Sequence, residues 1–446
     1  MRIVVGAAEA RETVLRRLSL EARPLPDSVR ADIRRVFGSE LQAEEVVERI
    51  LKDVREEGDA AVRRYNEEVD GVQAGLALSL EVSEGEIESA YRQVDPSLVS
   101  ALREAAERIR DFHERQLRHS LRSFVEDGIG QVVRPLRRVG LYVPGTRVAL
   151  PSTVLMTAIP ARVAGVAETI MVTPALEDGS VAPVKLVAAN IADVDRVFRA
   201  GGVQGIAAIA YGTETVPRVD KICGPGGIFV TLAKKKLYGE VGIDGLFGPS
   251  ETLVIADGAA DPSLVAADLL AGAEHDELAT AILISTSEGL ARSVSERVSA
   301  QMDEMERASV AKASLEARGG IAVVGSLAEA LTLANEFAPE HLCLHVEGAA
   351  ELLTEVQNAG CVFLGAAAVE SIGDYTAGPS HVMPTGGGAA YASPLGVHDF
   401  LKVTSVVHLD AEKAQAVGPA AAAIARAEGL GGHARAIELR LRGEQP

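Results

Sequence analysis

The chain has 446 residues and a formal net charge of −19, so it is long enough for roughly two to four domains and too acidic to suggest a nucleic-acid partner. Its three cysteines, Cys223, Cys343 and Cys361, show no paired spacing, which favours a reducing compartment. No signal-peptide pattern opens the sequence, and no uncharged apolar stretch is long enough to span a membrane. We therefore expect a cytoplasmic protein without a membrane partner.

The first 135 or so residues have a helical pattern and a high density of charge. Apolar residues recur at helical spacing from Leu41 to Val54, and the same spacing continues from Tyr91 to Ile109. No catalytic constellation is visible in this part of the sequence. We predict a helical arm or cap here.

From about residue 138, short apolar runs alternate with helical segments. Residues 139–145 have the pattern of a buried strand that ends in a turn, and further strand-like runs occupy 169–173, 251–256 and 342–346. Strands that alternate with helices are typical of βαβ units. The sequence therefore predicts an α/β protein with parallel sheets, followed after about residue 395 by a short tail with helical segments.

Two residues are candidate metal ligands. His275 lies three residues after Gly272, so both would project from one face of the predicted helix, although a lone histidine is more often structural. Asp374 is predicted in a loop at the carboxyl end of a strand, with His381 following it, and α/β folds place ligands at such loops. A bare Gly-Asp pair can equally be a turn former.

Glu340 and His341 are the strongest candidates for acid/base chemistry. The two residues are adjacent at a predicted helix-to-strand junction, so they could serve as two separate bases. Two proton acceptors suit a reaction that combines two oxidations with a water addition. The alternative is a capping glutamate beside a histidine of the strand core. No GxGxxG motif follows a strand, so any nicotinamide cofactor would bind in a less standard way.

Ordered motifs occur at residues 140–145, 151–156, 201–204, 219–226, 248–251, 268–270, 273–275, 339–342, 373–375, 381–385, 393–397 and 399–402. Together these motifs resemble the histidinol dehydrogenase family over most of the chain. This resemblance implies an α/β fold with two Rossmann-like parallel-sheet domains, a helical N-terminal arm and a small C-terminal tail domain. The implied boundaries are an arm at 1–36, a discontinuous first domain at 37–138 and 251–394, a second at 139–250 and a tail at 395–446 that contributes to the partner's site.

The resemblance implies a zinc- and NAD-dependent oxidation of L-histidinol to L-histidine through the aldehyde, the last steps of histidine biosynthesis, in an intertwined homodimer. His341 would be the base of the alcohol step, and Glu340 would activate the water that attacks the aldehyde carbon. The implied positions are Tyr142, Gln204 and Gly227 for NAD; His275, Asp374 and His433 for zinc, with His433 of the partner subunit completing the set; and Ser250, His275, His341, Asp374, His381, Glu428 and His433 for substrate.

The chain departs from the family pattern at four positions. Gly272 stands where the family has a zinc-binding glutamine, and Gly227 where it has an asparagine that contacts NAD. Ala390 replaces an arginine, and Thr146 replaces a glycine. Removal of one ligand should weaken metal affinity, with water or substrate in the free position.

Three functional hypotheses follow from these residues. The first is a histidinol dehydrogenase with a three-ligand zinc site. The second is a paralogue that oxidises another small polar alcohol or diol, which Gly272 and Gly227 favour. The third is a relative that binds ligand without turnover, and the presence of both Glu340 and His341 argues against it.

Overall fold

The computed structural model describes residues 1–17, 25, 27–76, 79–145 and 149–442. It divides into two compact units. Unit 1 comprises Met1–Arg118 and Leu136–Phe400, and unit 2 comprises His119–Pro135 and Leu401–Pro446. These units divide the chain at other positions than the four segments expected from sequence, and that partition stays a prediction.

The strands and helices follow the predicted alternation from residue 138 to residue 364. The strands are β1 Ile3–Val5, β2 Phe124–Glu126, β3 Ile129–Pro135, β4 Arg138–Tyr142, β5 Glu168–Thr173, β6 Arg196–Arg199, β7 Lys221–Cys223, β8 Gly242–Ile243, β9 Glu251–Ala256, β10 Thr280–Ser285, β11 Gly320–Val323, β12 His341–His345, β13 Cys361–Leu364 and β14 Leu401–Val407. The helices are α1 Ala7–Glu12, α2 Asp27–Phe37, α3 Ala43–Glu57, α4 Asp59–Glu68, α5 Glu84–Tyr91, α6 Pro96–Arg118, α7 Pro151–Ala164, α8 Pro183–Ile191, α9 Gly202–Tyr211, α10 Ile228–Leu237, α11 Pro262–Ala273, α12 Glu288–Met302, α13 Ala308–Arg318, α14 Leu327–Phe337, α15 Glu370–Tyr375, α16 Ala411–Ala427 and α17 Gly431–Leu441.

Unit 1 contains two parallel sheets, as the α/β prediction requires. The six-stranded sheet has the order β1-β11-β10-β9-β12-β13, and the five-stranded sheet has the order β6-β5-β4-β7-β8. Every residue of β9, β10 and β12 is buried, because helices cover both faces of a parallel sheet. The predicted fold class is thus confirmed.

The prediction of an all-helical segment up to about residue 135 is wrong at three places. Ile3–Val5 forms β1, the edge strand that pairs in parallel with β11. In unit 2, β2 and β3 form an antiparallel sheet with β14. β1 and β2 have three residues each, which is too few for a periodic pattern to be recognised. β3 has seven residues, but its pairing with β14 joins distant parts of the chain and leaves no local signal.

Helices near the N-terminus share a core with the five-stranded sheet. Buried residues between Val46 and Tyr65 of α3 and α4 pack with α9 and with Ile170 and Val172 of β5. The two faces of the six-stranded sheet carry separate cores. Among the described residues, no helix is both long and apolar enough to cross a membrane.

Candidate functional site

A cavity of about 620 Å³ in unit 1 brings together most of the predicted site residues. It lies where the loops that follow β4 and β7 meet the residues that precede β9 and β12. The predicted residues that line it are Gly227, Ser250, His275, Glu340, His341, Asp374 and His381.

Backbone geometry positions the Glu340–His341 pair at this cavity. Helix α14 ends at Phe337, and Ala338 adopts the left-handed conformation with φ 50°. This conformation is costly for a residue with a Cβ and is found preferentially at functional sites. Pro339 follows, and His341 begins β12 between Thr252 of β9 and Cys361 of β13.

Three carboxylates surround the buried imidazole of His341, whose side chain is 3% exposed. Nδ1 lies 3.2 Å from Oε1 of Glu370 and 3.9 Å from Oε2 of Glu340. Nε2 lies 3.6 Å from Oδ1 of Asp374. The carboxylate of Glu340 is therefore close to the imidazole of His341, as a division of two proton transfers between them would need.

This concentration of carboxylates shifts the pKa of several groups. Burial lowers the pKa of His341, but the charges of Glu370, Glu340 and Asp374 outweigh it and raise the value to about 10. Burial raises the pKa of Glu340 to about 8 and also raises the pKa of Glu370. For Asp374, burial raises the pKa, yet the imidazole of His341, whose Nε2 lies 3.6 Å away, lowers it overall.

Asp374 lies in helix α15, so its predicted position in a loop is wrong. The helix has six residues, which is too few for a periodic signal. Oδ2 of Asp374 lies 4.0 Å from Nε2 of His275, which follows the end of α11 and is 44% exposed. The two predicted metal ligands of unit 1 therefore do come together.

Glu370 joins these two residues, although the sequence interpretation did not include it. One ligand atom each from His275, Glu370 and Asp374 lies within 4.8 Å of the others, a grouping that could hold a metal ion. One feature of the sequence could have identified Glu370 as a site residue. It lies four residues before Asp374, a spacing that places both side chains on one helix face.

His381 and Ser250 also line the cavity, where a bound molecule could contact them. Nδ1 of His381 lies 2.9 Å from the carbonyl oxygen of Asp374, and Nε2 lies 3.3 Å from Oγ1 of Thr153. Burial lowers the pKa of His381, which favours the neutral ring. Ser250 directly precedes β9 at the cavity wall.

Two of the three predicted NAD residues do not line the cavity. The hydroxyl of Tyr142 accepts a hydrogen bond of 3.2 Å from the amide of Gly202 and is buried. Gln204 is also buried, and its Nε2 donates to Oδ2 of Asp70 at 3.0 Å. Gly227 does line the cavity, as the N-cap of α10, and a Cβ added there would meet no atom of the described residues within 4 Å. NAD contacts at all three positions stay a prediction.

Glu428 and His433 belong to unit 2. Glu428 is the C-cap of α16, and His433 lies in the first turn of α17. Both side chains are exposed in unit 2. Their substrate and metal roles stay predictions.

The positions at which the chain departs from the family pattern lie in different environments. A Cβ at Gly272 would overlap the hydroxyl of Thr252 and lie 2.8 Å from its Cβ. Oγ1 of Thr252 in turn donates a 2.8 Å hydrogen bond to Oε2 of Glu370. Ala390 is exposed at the end of the short 3-10 helix Gly388–Ala390, and Thr146 lies outside the described residues.

Comparisons with known proteins agree on one family. The family model for histidinol dehydrogenase matches residues 34–441. Histidinol dehydrogenase of Deinococcus radiodurans is 49% identical over 442 residues, covering 98% of this chain and 100% of the relative. That of Moorella thermoacetica is 51% identical over 415 residues, covering 92% of this chain and 98% of the relative.

A solved structure supports the same assignment at the level of the fold. The crystal structure of histidinol dehydrogenase from Elizabethkingia anophelis matches with a TM-score of 0.89 and 32% identity, over 99% of this chain and 98% of that chain. Together with the nearly full-length relatives, this match shows that the chain belongs to the histidinol dehydrogenase family.

Proposed function

We propose that this protein oxidises L-histidinol to L-histidine through the aldehyde, with NAD as electron acceptor and zinc in the site. The observation that carries the proposal is the buried Glu340–His341 pair beside His275 and Asp374 in one cavity. A cytoplasmic homodimer, in which His433 of the partner subunit completes the zinc site, is part of the same proposal.

The donor atoms present fit a zinc ion. Imidazole nitrogen and carboxylate oxygen are ordinary zinc ligands, and His275 and Asp374 present one of each 4.0 Å apart. Bound zinc would hold the amine and imidazole nitrogens of histidinol and offset the carboxylate charge that keeps His341 protonated. Bound NAD would accept one hydride in each of the two oxidations.

The residues of the chain divide the proton transfers. His341 takes the hydroxyl proton of the alcohol as the carbon–hydrogen bond is broken, giving the aldehyde. Glu340, next to it in sequence and 3.9 Å away, takes a proton from the water that attacks the aldehyde carbon. The second oxidation of the resulting hydrate gives the carboxylate product.

His341→Asn tests the assigned base. We expect turnover of L-histidinol, measured as NADH formation, to fall by roughly 10²–10⁴-fold with little change in KM. The matched control is His345→Asn, which removes another buried histidine of β12, one that pairs with Asp268 at 2.7 Å outside the cavity lining. Normal turnover in His341→Asn would refute the assignment.

Glu340→Gln tests the division between the two bases. The alcohol step should be spared more than the aldehyde step, because only the aldehyde step needs an activated water. Supplying the alcohol and the aldehyde separately measures the two steps. Equal losses in both would contradict separate roles for Glu340 and His341.

A second candidate is the oxidation of another small polar alcohol or diol. It is favoured by Gly227, which lines the cavity and whose missing side chain would meet no atom of the described residues within 4 Å. Comparing kcat/KM for L-histidinol with that for a panel of small diols decides between the two substrates.

A further inference from the structure

We infer that Glu370 is itself a ligand of the divalent cation that His275 and Asp374 hold. The inference rests on the proposed function for the presence of a cation and adds a ligand that neither the sequence pattern nor the predicted zinc set includes.

The geometry of α15 supplies the first argument. Glu370 and Asp374 are four residues apart on one helix face, and His275 approaches the same point from the end of α11. The three ligand atoms lie within 4.8 Å of one another. Two ligands of one zinc ion can be at most about 4.4 Å apart, twice a bond length of about 2.2 Å, so a small side-chain movement closes the set.

The second argument is an unpartnered buried oxygen. The Glu370 side chain is 1% exposed, and its Oε2 accepts the hydrogen bond from Thr252. Its Oε1 makes no hydrogen bond within the described part of the chain, although Nδ1 of His341 is 3.2 Å away. The ion pair with His341 offsets only part of the cost of burying this oxygen, so a cation bound to Oε1 would stabilise it further.

The balance of charge supplies the third argument. Glu340, Glu370 and Asp374 surround a single imidazole, that of His341. Glu370 and Asp374 are thus two buried carboxylates close to one another. A divalent cation bound between them would reduce their mutual repulsion and offset part of the cost of burying them.

Thr252 and Gly272 keep Glu370 in this position. The hydroxyl of Thr252 donates to Oε2 at 2.8 Å, which leaves Oε1 without a hydrogen bond from the described residues. Any side chain at position 272 would overlap that hydroxyl. Gly272 therefore leaves the space in which Thr252 orients the proposed ligand, as a neighbour that tunes a metal ligand does.

Glu370→Gln and Glu370→Leu together test the inference. Glutamine keeps the shape of the side chain but removes its charge, and leucine also removes the oxygen with which a glutamine could still bind the ion. Zinc affinity is measured by competition with a chromophoric chelator, and the visible spectrum of the cobalt-substituted protein reports ligand exchange without reference to activity. We expect zinc affinity to fall at least about 100-fold and the cobalt spectrum to change. The control Glu277→Gln makes the same change of charge at an exposed residue that lines the cavity and should change affinity less than about threefold.

The variants His275→Ala and Asp374→Asn separate failure of this inference from failure of the proposed function. If they lose zinc while Glu370→Leu retains it with an unchanged cobalt spectrum, Glu370 is not a ligand and the proposed zinc site stands. If all three bind zinc normally, the proposed zinc site itself is wrong. A Glu370→Leu protein that keeps its zinc affinity and its cobalt spectrum but loses kcat would assign Glu370 to positioning His341 and would overturn the inference.

Thr252→Val provides a second test that leaves Glu370 in place. It removes only the hydroxyl that orients the carboxylate, so zinc affinity should fall about tenfold. Should Glu370→Gln fail to fold, unchanged zinc affinity and an unchanged cobalt spectrum in Thr252→Val would overturn the inference.

Discussion

Gly272→Ala is expected to destabilise the protein even though alanine is the better helix former. Gly272 lies in the last turn of α11, where replacing glycine by alanine would by itself stabilise the helix by about 0.5–1 kcal/mol. The new Cβ, however, would lie 2.8 Å from Cβ of Thr252 and overlap its hydroxyl. Overpacking of this kind costs about 1–3 kcal/mol, so the steric clash should outweigh the gain in helix stability. We expect a net loss of up to about 2.5 kcal/mol in the free energy of unfolding.

Urea unfolding of the zinc-free protein, followed by far-ultraviolet circular dichroism, measures this loss, because the chain has no tryptophan. The matched control is Gly289→Ala in α12, where the nearest atom to the new Cβ is 3.8 Å away. This control should be neutral or stabilising by up to about 1 kcal/mol.

Thr252→Ala provides a further check on the steric argument. Combined with Gly272→Ala it should recover part of the loss, because the contact with the hydroxyl disappears. If Gly272→Ala stabilises the protein as much as Gly289→Ala does, the contact between α11 and β9 is not tight and the reasoning is refuted. The same contact means that a glutamine at position 272 must displace Thr252 before it can reach a metal ion.

Three further predictions concern other parts of the chain. Gly227→Asn should stabilise the fold by about a few tenths of a kcal/mol in urea unfolding, since asparagine is the better N-cap and the site is open; a loss of stability would contradict that. Burial, with a smaller contribution from His398, lowers the pKa of His113 to about 4, so the folded state holds the neutral ring. Stability should therefore fall as the pH drops from 6.5 towards 4, by at most about 1.4 kcal/mol per pH unit, and unfolding of His113→Gln should show a flatter dependence; equal slopes would be inconsistent with a buried neutral ring. Mixing inactive His433→Ala and His341→Asn subunits should restore some NADH formation, and no recovery after verified subunit exchange would exclude a role for His433 in the partner's site.

The sequence was sufficient to predict the fold class and to propose part of the candidate site. The alternation of strands and helices after residue 138 depends on local periodicity, and the two parallel sheets confirm it. Glu340 and His341 were identifiable because adjacent acid and base residues at a strand start form a local pattern. The prediction was wrong for β1 and α15, because these elements have too few residues to show a periodic pattern.

Only the tertiary structure decided which distant side chains meet. Parallel register places His341 beside Thr252, and α15 then brings Glu370 against both. Glu370 and Thr252 are separated by 118 residues, so no window of sequence contains their contact. The burial of Gln204 and the overlap between position 272 and Thr252 are likewise outcomes of packing. Periodicity and motifs are properties of neighbouring residues, whereas burial, charge clustering and steric fit depend on contacts that exist only once the sheets have assembled.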